Sequence, residues 1–528
     1  MRFIALRLFA AISGACFAAQ LLAIAPANAT TQPRYGGTLR VELHTASVSL
    51  DPREWRVGSL ESATDEKLAA LIFERLIELD NYGHFQPVLA TEWSHDATNR
   101  RWQFVLRPGV KFSDGAPLTA GDVVAALQPL LPEGLQISAS ANGVIMQSAS
   151  PAPDLLEQLA SGRYFVYRIT TSGALVGTGP FVLQDSSHAA QGDLGPHLNF
   201  RENEETWSGR PYLDAVDVTL GVPPLRAMFD LQLGKTDLIE LAPDLVPRAK
   251  QASLRVWSSD PVVLYGLRFD ETQAVAVHAR LREALSLALD RGTMANVLLQ
   301  KQAQPAAALL PQWLSGYAFL FNVEANLERA KELRRSLAAR AGAADPLRLR
   351  VEPAGDLPKL LGERVAINAR QASIAIQVVN RTTQHSGAAL PASTASSSGA
   401  SSDSAAGIHL FAWRYSSLSP RAELDAMFAA YNLAESQAAE AGADREQLYA
   451  RESRVLENWQ VLPLVEQAES VGIGVAVHNW LPARWGEWHL ADVWLAASDA
   501  AQADASDAPS DPPKNAAQKP ASVPGVKP

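Results

Sequence analysis

The chain has 528 residues, 47% hydrophobic and 19% charged, with a formal net charge of −10. That balance argues against nucleic acid as a partner, because phosphate binding needs clustered Lys and Arg. The single cysteine, Cys16, excludes a disulfide framework, and the length suggests about two to four domains.

Met1 to Ala29 carries Arg2 and Arg7, an uncharged run from Leu8, and the ending Pro26-Ala27-Asn28-Ala29. It reads as a secretory signal peptide with a small-x-small cleavage site, and an uncleaved membrane anchor is the alternative. Cys16 would be the acylated residue of a lipoprotein. Ser13-Gly14-Ala15 lacks the leucine expected three positions upstream, so lipid anchoring is the lesser reading. Cleavage after Ala29 would leave no thiol for catalysis or metal. The expected location is periplasmic or extracytoplasmic.

Thr64 to Leu79 places Leu68, Leu71, Ile72 and Leu76 on one helical face, and Asp80-Asn81-Tyr82-Gly83 follows as a turn. Trp102, Phe104 and Leu106 alternate as in a half-buried strand, Arg107-Pro108-Gly109 turns, and Val110 and Phe112 resume the alternation, which predicts a hairpin. Thr119-x-x-Asp122 predicts a capped helix start. Leu281, Ala284, Leu285, Ala288 and Leu289 form an amphipathic helix that Asp290-Arg291-Gly292 interrupts. Strand Leu347 to Val351, helix Leu357 to Ala372 and strand Ile374 to Val379 suggest a parallel βαβ unit, so the fold class is α/β. Thr382 to Gly407 and Ala496 to Pro528 are low in complexity and read as a loop insertion and a tail.

Three motifs carry specific information. Ala90-Thr91-Glu92-Trp93 comes first, followed by Leu106-Arg107-Pro108-Gly109-Val110-Lys111-Phe112-Ser113-Asp114-Gly115 and then Thr119-Ala120-Gly121-Asp122-Val123. In this order they resemble the signature of family 5 extracellular solute-binding proteins, the oligopeptide, dipeptide and nickel type that serves ABC importers. Further landmarks run from Tyr35-Gly36-Gly37-Thr38-Leu39 to about Leu495, including Gly177-Thr178-Gly179-Pro180-Phe181 and Gly209-Arg210-Pro211-Tyr212-Leu213-Asp214. The resemblance implies a two-lobed periplasmic-binding-protein-like fold (type II, cluster C) with an extra small domain. It implies lobe I from 35–55, 165–259 and 462–495, an inserted domain at 56–164, and lobe II at 260–461. Gln128 to Ala152 is shorter than relatives usually have, so the inserted domain would be trimmed.

Other motifs are better read as structure. Gly234-Lys235-Thr236 resembles the end of a phosphate-binding loop, but Phe229 stands where its first glycine belongs, so a helix-ending turn is preferred. Neither Gly-x-Ser-x-Gly nor His-Glu-x-x-His occurs, and the ten histidines lack ligand spacing. No metal or cofactor is therefore expected, and no enzymatic activity. Trp480, Trp485, Trp488 and Trp494 could stack on a ligand, although core packing is the commoner use.

The segment Gly407 to Pro420 bears most directly on ligand class. In peptide-binding relatives its strand end reads Trp-x-x-Asp and then Asp-Pro, and the first Asp pairs with the α-ammonium group of the peptide. Here Ser416 takes that place and Ser419 precedes Pro420. A serine can accept a hydrogen bond but cannot neutralise an ammonium. Three readings follow: the ligand lacks a free amino terminus, another acid such as Glu54 or Asp51 supplies the charge, or the pocket has lost its original task. Arg414 could instead bind an anionic or metal-chelate cargo through carboxylates, or be a solvated strand-end residue.

By the resemblance, Trp413 would offer a stacking wall, Tyr415 and Ser416 hydrogen bonds, and Trp55, Glu54 and Tyr265 the opposing and hinge-side surfaces. The expected partners are a small-molecule or peptide-like ligand (peptide-like, opine-like or metal-chelate) and the membrane subunits of an ABC importer, with the chain itself a monomer. A degenerate receptor or partner protein, or an envelope enzyme on this scaffold, is the alternative.

Overall fold

The computed structural model describes residues 32–187, 196–270, 278–341, 346–380, 407–433 and 444–496. The segment read as a signal peptide, with Cys16, residues 382–406 of the low-complexity stretch and residues 497–528 lie outside the described residues. None of the described helices is long and apolar enough to cross a membrane.

One sheet runs through both halves of the molecule. Its order is Phe181–Ser187, His197–Glu202, Ala215–Thr219, Thr38–Glu42, Leu238–Leu241, Val461–Ile473, Arg255–Phe269, Ile408–Arg414, Leu347–Val351 and Ile376–Asn380, and Ala303–Pro305 also pairs with Val461–Ile473. The two long central strands are what join the halves. At one end Val461–Ile473 pairs with Leu238–Leu241, and at the other Arg255–Phe269 pairs with Ile408–Arg414. Their mutual ladder shifts register between Ser258, Pro261 and Val263. Pro261 has no N–H to donate, so the ladder is weakest at the crossing.

Each half buries its own apolar side chains. Leu39, Val41, Phe200, Val216 and Val218 form one core, which continues into Phe73, Trp102 and Phe104. In the other half, Leu267, Leu285, Leu349, Val365 and Leu410 form a second core, and Phe411, Trp413, Leu424 and Phe428 a third. The predicted βαβ unit is present: Leu347–Val351 and Ile376–Asn380 are parallel, and the helix Asp356–Gln371 links them. The helix Ala279–Ala288 ends where predicted, and Asp290 caps the next turn through Thr293 N–H at 2.8 Å. Thr119 and Asp122 form the expected capping box. Lys235 N–H bonds to the Asp230 carbonyl at 2.9 Å, closing the helix Pro224–Gln232.

Two predicted elements differ. The helix expected over Thr64 to Leu79 is Leu60–Ala69, and Ile77–Leu79 is a strand paired with Phe85–Pro87. The carbonyls of Leu71 and Ile72 accept instead from Phe181 and Gly179 N–H, at 2.9 and 3.1 Å, which stops the helix. The expected hairpin of 102–106 with 110–112 is also replaced. Arg101–Leu106 pairs with Ala90–His95 and Gly143–Ser148 in a separate four-stranded antiparallel sheet completed by Leu135–Ser140. Arg107 Nε bonds to the Val88 carbonyl at 2.8 Å and leads the chain off the sheet, so Val110 and Phe112 are buried without joining it.

Candidate functional site

A cleft lies beside the crossing strands, lined from both halves and enclosing about 20 Å³. That is room for about one water molecule. The helix Leu60–Ala69 contributes Ala63, Glu66 and Lys67, and the strand end after Ile408–Arg414 contributes Arg414 to Leu418. Ser161 and Gly162, Trp313, and Trp485 to Glu487 complete the lining.

The lining is held by a cross-linked set of charges. Glu469, on the crossing strand Val461–Ile473, accepts from Arg414 Nε at 2.8 Å and faces Lys67 Nζ at 2.9 Å. Lys67 also reaches Glu240 at 3.3 Å. Burial alone would push the Glu469 carboxyl up, but Arg414 and Lys67 together hold it at about 2. Arg414 further donates to the Trp485 carbonyl at 2.7 Å and to the Tyr415 carbonyl. Gly486 makes this possible: it adopts φ +91°, and a Cβ there would lie 2.8 Å from Glu469 Oε2 and 3.0 Å from Arg414 Nη2. Arg75 pairs with Glu487, whose carboxyl is drawn down by that arginine against the burial that would raise it.

Glu423, in the helix Pro420–Tyr431, lies behind the strand end. It accepts from Trp413 Nε1 at 2.5 Å, Ser417 N–H at 2.7 Å and Ser416 N–H at 3.2 Å. Burial nevertheless pushes it up to about 7, because these donors do not offset the cost of desolvation.

The profile of the bacterial extracellular solute-binding proteins, family 5, middle region, matches residues 84–432, more than half of the chain. The chain belongs to this family. It is 24% identical over 270 residues to the nickel-binding periplasmic protein of Escherichia coli, covering 46% of this chain and 50% of that one. The match to the nickel-binding protein NikA of Staphylococcus aureus is 23% over 351 residues, covering 63% and 69%. Some of these matches thus span only about half the length of the relative. The crystal structure of NikA from Brucella suis in complex with Fe(III)-EDTA superposes with a TM-score of 0.70 at 18% identity, over 87% of this chain and all of that one. At that identity the likeness shows the two-lobed fold alone.

The residues singled out from the family 5 pattern divide into two groups. Arg414, Tyr415 and Ser416 line the cleft. Tyr415 is anchored by its hydroxyl, which donates to the Leu309 carbonyl at 2.7 Å, and burial raises that hydroxyl well above its usual pKa. Trp413 sits one layer behind, its ring against Gly58 and edge-on to Tyr431 at 5.5 Å. Trp55 donates to the Ser49 carbonyl at 2.8 Å and packs edge-on to Phe165. Glu54 is exposed and accepts from Ser49 Oγ, while Asp51 pairs with Arg53. Tyr265 is buried within the crossing strands, and that burial raises its hydroxyl pKa. Neither Glu54 nor Asp51 lines the cleft.

Ser419 acts as a helix cap, accepting from Ala422 N–H at 3.0 Å, and it also contacts Asp154. Either serine or aspartate can fill a cap position. Among the C-terminal tryptophans, Trp480 and Trp488 pack edge to face at 5.6 Å and Trp494 stacks on His478, while Trp485 alone of the four reaches the cleft. Sequence reasoning missed Glu66, Lys67, Glu469 and Glu487. The available signal was two acids, Glu466 and Glu469, inside the otherwise uncharged Val461–Ile473 strand.

Proposed function

We propose that this chain is the extracytoplasmic solute-binding protein of an ABC importer, capturing a small ligand as its two lobes close. The observation that carries this reading is the cleft itself, which is polar and charged, lined from both halves and placed beside the weak point of the crossing strands. Ligand that contacts both lobes stabilises the closed state by those differential contacts. Relatives named for nickel and for murein peptide support a peptide-like, opine-like or metal-chelate cargo. Ser416, in place of the expected acid, speaks against a cargo held only by an α-ammonium at that position.

The small enclosed space favours one second reading. At about 20 Å³ the cleft takes no peptide without opening, as expected of a chain that keeps the fold and binds another protein. Native mass spectrometry of the protein purified from its own envelope separates the two. A co-purified small molecule at high occupancy supports transport. A chain that carries none, and does not acquire one from the small-molecule fraction of the envelope, sinks that reading.

A further inference from the structure

Glu66 differs from the other charged side chains of the cleft. Lys67, Arg414 and Glu487 each have an ion-pair partner, whereas the Glu66 carboxylate makes no hydrogen bond or ion pair among the described residues. Arg414 is engaged by Glu469, Lys67 is shared between Glu469 and Glu240, and Arg75 is engaged by Glu487, so each of these three cations is already paired with a carboxylate other than Glu66.

We propose that Glu66 is the anchor for a cationic group, an ammonium or guanidinium, on the ligand; this rests on the binding reading above. An incoming cation would pair with Glu66 without breaking an existing pair. The indoles of Trp313 and Trp485 line the same cleft, and their N–H groups are already engaged by the Pro261 carbonyl at 2.7 Å and by Glu487 at 3.1 Å. Their rings remain as the apolar and cation–π part of the wall. Burial lifts the Glu66 carboxyl to about 7, against the opposing pull of Arg414 and Arg75, so a bound cation would also favour its ionised form. The charge that Ser416 cannot supply would thus come from another element, the helix Leu60–Ala69.

The test compares wild type and Glu66→Gln purified from the same envelope, with the bound molecule identified by mass spectrometry. The expected result is an amine- or guanidine-bearing molecule whose affinity falls about tenfold or more in Glu66→Gln, the loss of one charged hydrogen bond. Ligand-stripped wild type should also prefer putrescine or agmatine to butanediol or succinate. Stripped Glu66→Gln should melt no lower than stripped wild type, since a neutral amide replaces a partly buried carboxylate that has no ion-pair partner; a lower melting point would make Glu66 structural and overturn the assignment. A neutral or anionic bound molecule, equal affinity in the variant, or succinate binding as well as putrescine also overturns it. A wild type with no small molecule at all sinks the transport reading instead.

Discussion

Replacing Glu469 by glutamine leaves its shape and removes the charge that Arg414 and Lys67 share. A carboxyl held at about 2 instead of 4.5 contributes roughly 3 kcal/mol at neutral pH. Breaking a buried pair from one side costs about 3–5 kcal/mol, because the remaining charge stays desolvated. Arg414 would lose its carboxylate partner while Lys67 would keep Glu240, so we expect Glu469→Gln to lose about 3 kcal/mol. The assay is urea unfolding at pH 7, followed through tryptophan fluorescence and read at the first transition, since a two-lobed chain need not unfold in one step. The pH dependence has a fixed sign: the folded-state pKa is depressed, so the Glu469 contribution is full above about 4.5 and is lost as pH falls toward 2. The quadruple variant Lys67→Met, Glu240→Gln, Arg414→Met, Glu469→Leu should recover much of the loss, as apolar replacement of whole buried networks does. A Glu469→Gln protein within about 1 kcal/mol of wild type would refute the reasoning, because the triad would then not be desolvated as described.

Gly58→Ala should destabilise by about 2 kcal/mol or more: the residue has φ +79° and its Cβ would fall 2.4 Å from the Trp413 ring, a loss visible as a lower melting temperature. Glu466 is buried, and burial raises it to about 8. A raised carboxyl favours folding below about 4.5 and loses that contribution as pH rises through 8, so Glu466→Gln should raise the melting temperature relative to wild type at pH 8 and change little at pH 4. Ser419→Ala should cost about 1–2 kcal/mol by removing a helix cap, measured by chemical denaturation; no change would mean that Asp154 holds the turn without it.

The elements whose signals are local were legible. The βαβ unit has β-branched and leucine-rich runs separated by a helix of uniform period, and Thr119 and Asp122 sit three residues apart, so one short segment carries the whole cap. Leu71 to Leu79 misled because its apolar residues fit a helix, while carbonyls a hundred residues from Gly179 and Phe181 decided its backbone. Val110 and Phe112 alternate as strand residues do, but their backbones bond to Leu118 and Ala116 around the Lys111–Pro117 bridge and not to the strand Arg101–Leu106. The cleft was legible on one wall only. The segment Trp413 to Ser416 could be found by its family pattern, whereas Lys67, Glu240, Glu469 and Glu487 come together through the crossing strands and the C-terminal loop. Spacing along the chain holds no record of such a meeting.

The central claim, closure of two lobes on a small ligand, is tested most directly by a distance across the cleft. Cys16 is the chain's one cysteine, so in a Cys16→Ser background spin labels can be placed at Lys235→Cys in one half and Lys359→Cys in the other, both exposed positions. Pulsed electron paramagnetic resonance would compare stripped protein with protein given the small-molecule fraction of its envelope. The account predicts a longer, broader distance distribution when stripped, which shortens and narrows when the fraction is added. One unchanged distribution under both conditions would contradict it.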